Sequence, residues 1–148
     1  MDATVELISG MVFTATPASG HAITLDAAEA SGGAGQGPTP MELVLLALGG
    51  CAGMDVISIL RKQRQEVTGY RVQLHGDRAA EHPRVFTTIT VEHQVRGRAL
   101  DPAAVRRAVE LSAIRYCPVG GMLGRAAALR HRIRITDEAL GTETESAL

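Results

Sequence analysis

Residues 43–60, "LVLLALGGCAGMDVISIL", form an apolar run interrupted by one acid, Asp55, and three glycines. The run constrains the fold more than any other stretch of the chain. Thr39 is a suitable N-cap, Pro40 suits the first helical position, and Glu42 follows the cap by three residues, so a helix is predicted from Pro40 to about Glu66. Arg61, Lys62 and Arg64 then stand near its C-terminus, where the helix dipole favours cations. Its apolar residues fall nearly all round the helix, which implies burial on several sides. Gly49, Gly50 and Gly53 each cost about 1 kcal/mol relative to Ala in a helix interior. They are expected where another backbone, such as another helix, approaches closely. An apolar helix of this length needs more cover than one α+β layer of a 148-residue chain supplies, so an obligate homodimer is expected.

The rest of the chain reads as short strands and two further helical regions. Strands are predicted at 4–7, 11–16 and 21–26, followed by a Gly-rich loop at 29–40. After the long helix come strands at 70–78 and 85–95, pairing as a hairpin through "AAEHP". Asp101-Pro102 is a second pair of N-cap and first helical residue. The helix it opens is interrupted at Pro118; "GGMLGRAAAL" suggests another helix and "RIRIT", 132–136, a last strand. Arg130, Arg132 and Arg134 alternate with His131, Ile133 and Ile135, as on the solvated face of an edge strand. The order gives an α+β fold with mostly antiparallel sheets, as one domain spanning 1–148.

Charge narrows the function. The formal net charge is −1, so no bulk attraction to nucleic acid or to a membrane is implied. All fifteen Lys and Arg residues lie between Arg61 and Arg134. Any cation serving a site in the first sixty residues must come from later in the chain or from another subunit. The acidic start "MDATVELISG" lacks a basic n-region, and Leu43–Met54 is shorter than the roughly 20 residues of a membrane span. A cytoplasmic protein is expected, with its two cysteines as free thiols or a working redox pair.

Cys51 shares a helix face with Asp55, at i and i+4. Glu42, nine residues earlier, falls about 180° away on the ideal wheel. Read from its neighbours alone, Cys51 is first a small buried Cys at a tight helix crossing. Cys117 precedes Pro118, which disfavours helical geometry at Cys117 and makes it an N-cap. There the N–H groups of Val119, Gly120 or Gly121 and nearby Arg115 would lower a thiol pKa, so Cys117 is expected to be the more acidic thiol. A proline-kinked helix with an incidental Cys is the alternative. His21, His75, His82, His93 and His131 show no metal-ligand spacing with the cysteines, so no metal and no cofactor are expected. "GGAGQG" lacks the Lys of a phosphate loop.

"GPTPMELVLLALGGCAGMDVISIL" followed downstream by "RYCPVGGML" resembles the OsmC/Ohr family of thiol peroxidases over nearly the whole chain. The resemblance implies an intertwined homodimer with the Cys-bearing helices packed centrally between sheets. It implies that Cys51 attacks a small organic hydroperoxide, that Cys117 resolves it, and that a dithiol or redox protein reduces the disulfide. Two departures stand out. Peroxidase members carry a glutamate in a Pro-Glu-X-Leu pattern; here that position is Met41 and the acid is displaced to Glu42. They also pair it with an N-terminal arginine, and none precedes Arg61 here. Arg115, from either subunit, is the candidate cation for Cys51. A catalytically weak dimer that binds a small molecule or senses redox state is the alternative.

Overall fold

Thr39 and Glu42 form the capping box that their spacing predicts. The Thr39 N–H and Oγ1 both donate to Glu42 Oε2, at 2.7 and 2.8 Å, and the Glu42 N–H donates to Thr39 Oγ1 at 3.3 Å. These bonds, the backbone one first, hold the Glu42 carboxyl below its ordinary pKa. They start α1, Pro40–Lys62, which ends a turn earlier than expected, with Arg61 and Lys62 in its last turn. Thr39→Ala is expected to lower stability by about 1 kcal/mol, read as a shift in the urea midpoint at unchanged slope.

The computed structural model describes all 148 residues, which cluster into two compact units, Met1–Leu46 and Ala47–Leu148. The first holds an antiparallel sheet in the order β1-β2-β3, with β1 at Ala3–Ser9, β2 at Val12–Pro17 and β3 at Ile23–Leu25. The Gly-rich loop that follows is tied to Asp26. This carboxylate is 2% exposed and accepts N–H bonds from Ala27, Ala34 and Gln36 at 2.7, 2.8 and 3.0 Å. The bonds, from Gln36 above all, pull its pKa down against its burial. Gly33 is required here, because a Cβ would stand 1.8 Å from the Ala27 carbonyl oxygen.

The second unit holds a four-stranded sheet in the order β4-β5-β6-β7: Glu66–Arg78, Phe86–Arg98, Ala128–Asp137 and Thr142–Ala147. β4 and β5 form the expected antiparallel hairpin. β5 and β6 run parallel, joined through α2, Pro102–Leu111, a π-helical turn at Ser112–Tyr116, and α3, Pro118–Leu123. The fold is thus α+β with mostly antiparallel sheets, as the sequence implied. Val56 and Leu60 of α1, Val105, Ala108 and Val109 of α2, Val95 of β5 and Ile133 and Ile135 of β6 build the core. Full burial of a Val or Leu side chain is worth roughly 1.5–3 kcal/mol, so Val56 and Leu60, both 0% exposed, anchor α1 to the sheet.

Four local expectations are corrected. β6 is not an edge strand: β7, whose Thr- and Glu-rich residues are all exposed, lies outside it. Arg134 therefore meets Glu145 of β7 at 2.6 Å and Glu92 of β5 at 3.5 Å. The helix expected over "GGMLGRAAAL" stops at Leu123, and Ala128 and Leu129 already belong to β6. Within one chain α1 is enclosed along a single i, i+4 stripe, Leu48, Ala52, Val56 and Leu60 with Gly49 beside it, and not on several sides. Strand side chains, not a helix, meet its glycines within the chain. A Cβ at Gly49 would lie 2.6 Å from Leu74 of β4, whereas one at Gly50 would meet nothing within 4 Å.

By length and composition α1 could cross a membrane, with a mean hydropathy of 2.2 in its most apolar 18-residue window. Only 28% of that window is buried.

Candidate functional site

Local chemistry at Pro118 shapes one side of the site. Proline fixes the start of α3, and the preceding Cys117 takes the extended conformation that a following proline favours, φ −73° and ψ 102°. Cys117 is the N-cap that the sequence predicts, and its Sγ accepts the Gly120 N–H at 3.2 Å. The other side is α1, which presents Cys51 and, one turn on, Asp55. The two sulfurs and an Asp55 carboxylate oxygen all lie within 4.8 Å of one another. Cys117 is buried, Cys51 and Asp55 are half-buried, and both thiols are free.

Ser112 completes the cluster. It opens the π-helical turn and is 1% exposed, and its Oγ donates to Asp55 Oδ2 at 3.2 Å. The wider turn keeps Ser112 facing α1 while the chain swings out to place Cys117 opposite Cys51; such π segments recur at functional sites. Sequence reasoning placed Ser112 only on a helix, without a role. Its signal was weak, since a lone Ser among apolar residues more often satisfies its own helix.

The lowered pKa expected of the Cys117 thiol is overturned. Burial first, then the adjacent Cys51 sulfur, push its thiol up to about 11 from an ordinary 9.0, against the lowering pull of the Gly120 N–H. The helix N-terminus was the basis of the expectation, but α3 has only 6 residues and its dipole acts on a thiol that water scarcely reaches. Cys117 is therefore a protonated thiol at neutral pH, able to donate its S–H towards Cys51.

The other two predicted residues stand elsewhere. Arg115 is exposed, with its guanidinium 5.5 Å from the centre of the Tyr116 ring. Glu42 is committed to the Thr39 cap. Asp55 has no cationic partner among the ion pairs of the chain.

A buried polar chain crosses the same sheet. Tyr70 Oη and His93 Nδ1 are 2.7 Å apart, and His93 Nε2 and His131 Nδ1 3.2 Å apart. His93 is 0% exposed, and burial lowers its pKa to about 3. Ile89, Val91, His93 and Val95 alternate with exposed or half-buried residues along β5, and this period of two could have marked His93 as a core residue.

Two apolar-faced sheets, a long Cys-bearing helix and a second Cys at a Cys-Pro cap define the thiol-bearing α+β class that the sequence resembles. The comparisons agree. The family model for OsmC-like protein matches residues 33–132. Protein YhfA of Escherichia coli strain K12 is 45% identical over 136 residues, 91% of this chain and 98% of that protein. The crystal structure of a hypothetical protein from Aquifex aeolicus shares 31% identity, with a TM-score of 0.82 over 93% of this chain and 96% of the other. An organic hydroperoxide resistance protein, OsmC, from Legionella pneumophila shares the fold at 13% identity, with a TM-score of 0.69 over 89% and 94% of the two chains. The chain belongs to the OsmC-like family.

Proposed function

We propose that the protein is a cysteine-based peroxidase for small organic hydroperoxides, working in the cytoplasm as a single OsmC-like domain within an intertwined homodimer. The observation that carries this reading is the convergence of the two sulfurs within 4.8 Å. Cys51 thiolate attacks the peroxide; an S–O bond forms, the O–O bond breaks, and the alkoxide leaves as the alcohol after taking a proton. Cys51 is now a sulfenic acid. The Cys117 sulfur attacks it, an S–S bond forms, and hydroxide leaves as water with the proton that Cys117 gives up. A dithiol or a redox protein then reduces the disulfide by exchange. Stopped-flow mixing of the reduced protein with cumene hydroperoxide is expected to show loss of both thiols far faster than for a free cysteine. Loss at the free-cysteine rate overturns the peroxidase.

A second reading is a slow dimer that binds a small molecule or senses redox state. It is favoured by Glu42, which is committed to the Thr39 cap, and by Arg115, the candidate cation, which is exposed and lies over the Tyr116 ring. Negligible turnover together with a ligand retained in native mass spectrometry supports it, and rapid turnover excludes it.

The dimer rests on the apolar surface that the chain leaves open around the thiols. Met54 is 73% exposed, Ile114 86% and Met122 65%. Gly50, with open space where its Cβ would be, faces an open groove of about 480 Å³ between α1 and β4. Gly50→Leu discriminates. On an isolated chain the loss of a helical glycine should stabilise α1 by several tenths of a kcal/mol. Against a second copy packed on Gly50 it should dissociate the dimer, and sedimentation at micromolar concentration reads the difference. A wild-type chain that sediments as a folded monomer overturns the dimer.

A further inference from the structure

We propose that Cys51, Asp55 and Cys117 form a binding site for a thiophilic divalent cation of the zinc type, and that cation and disulfide exclude one another there. The first half needs only the geometry of the three side chains; the second also rests on the disulfide of the proposed function.

The donor atoms come from two elements and meet at one point. All three lie within 4.8 Å of one another. Zinc–sulfur and zinc–oxygen bonds of about 2.3 and 2.1 Å place tetrahedral ligands roughly 3.5–3.8 Å apart. From 4.8 Å the three donors therefore need to close by about 1.3 Å at most, within the reach of side-chain rotation. Two sulfurs and one carboxylate oxygen suit zinc rather than magnesium or calcium, which take all-oxygen sets. Three protein ligands leave a fourth position open.

The surroundings are those of a ligand set. Ser112 Oγ donates to Asp55 Oδ2 at 3.2 Å and leaves the other carboxylate oxygen for the ion. The Gly120 N–H donates to Cys117 Sγ at 3.2 Å, a bond that supports a metal-bound sulfur as well as a free one. Such outer contacts orient ligands and tune affinity. Charge points the same way. Three groups that are anionic when they ligate stand together, and the ion pairs of the chain give Asp55 no cation. A divalent ion supplies that charge. The set contains no histidine, which is why ligand spacing in the sequence gave no sign of it.

Exclusion follows from electron counting. Each sulfur binds the ion as a thiolate and releases its proton. Disulfide formation removes one electron from each sulfur, and the oxidised pair no longer offers two thiolates. An oxidant that accepts two electrons and two protons, such as diamide, should therefore expel the ion, and the bound ion should slow that oxidation.

The test uses the full-length protein, reduced and under anaerobic conditions, with no hydroperoxide present, so a failed peroxidase does not affect it. Zinc is titrated in competition with a chromophoric chelator, and cobalt is added separately for its spectrum. Binding of equimolar zinc, with a sulfur-to-cobalt charge-transfer band that disappears on diamide oxidation, is the expected result. Asp55→Asn and Ser112→Ala should each weaken zinc by about tenfold or more. Because Asn keeps the hydrogen bond from Ser112, Asp55→Asn should fold, and circular dichroism checks it. Zinc affinity no greater than that of the Cys51→Ser, Cys117→Ser double variant overturns the site. Equal affinity of wild type and Asp55→Asn overturns the three-ligand set. A cobalt band that survives diamide overturns the exclusion.

Discussion

Cys51→Ser is expected to reduce peroxide consumption to the uncatalysed background, while Cys117→Ser still consumes peroxide once and then stops. The two outcomes differ because the sulfurs have different chemical environments. Cys51 sits half-exposed on α1, where a small peroxide can reach it, and Cys117 is 6% exposed behind it. With Cys117 removed, the sulfenic acid on Cys51 has no partner within reach. It should persist and be trapped by dimedone, seen as one adduct in the intact mass. Turnover with an added dithiol should fall by roughly two orders of magnitude or more, because an intermolecular thiol replaces one held in contact. In Cys51→Ser the remaining thiol should stay protonated past its ordinary 9.0, since burial, the largest contribution, is untouched. Thiolate absorbance against pH reads this directly. If Cys117 titrates near neutrality and carries the dimedone adduct in the wild type, the two roles are reversed.

That assignment shows which parts of the site were legible in the sequence. Three helix starts were readable because each is a local event: Thr39 with Glu42, Asp101 with Pro102, and Cys117 with Pro118. The structure returns the expected bonds, including Ala103 N–H to Asp101 Oδ1 at 2.9 Å. The acidity of Cys117 was misjudged because the local contributions, a Gly120 N–H and a nearby arginine, were visible and the burial was not. Burial depends on Leu48 and the rest of α1, whose position relative to α3 no local pattern encodes. The glycines of α1 illustrate the same limit. Their spacing announces a close approach without naming the neighbour, and Gly49 turns out to face Leu74 of β4. β7 was missed for the opposite reason: "TETESA" alternates nothing apolar, and it becomes a strand only because β6 offers an unpaired edge. Its absence from the reading made Arg134 look solvated, when it holds the two strands' carboxylates together.

Acid should destabilise the second unit steeply, and His93 is the reason. Burial lowers its pKa from 6.5 to about 3, with neighbouring His131 adding to the effect. The unfolded chain binds this proton near pH 6.5 and the folded chain resists it, so the unfolded state takes up more protons as pH falls. The contribution of a neutral His93 is therefore fully present above about pH 6.5 and is lost progressively towards pH 3. By about pH 4.5 the loss is on the order of 3 kcal/mol, since each pH unit in the window weighs about 1.4 kcal/mol. That is a large share of the 5–15 kcal/mol typical of a domain (roughly, for any small protein). Burial also lowers the pKa of His131, and its proton adds to the same trend. His93→Gln can still hydrogen-bond towards Tyr70 and His131 but cannot take up the proton. It should lower stability at neutral pH, where the stacked ring is lost, yet flatten the slope between pH 6.5 and 4.5. Urea midpoints measured across that range give both numbers for each protein. A wild-type midpoint that does not move over it would mean that His93 is protonated in the folded state, and that the Tyr70–His93–His131 chain is open to water.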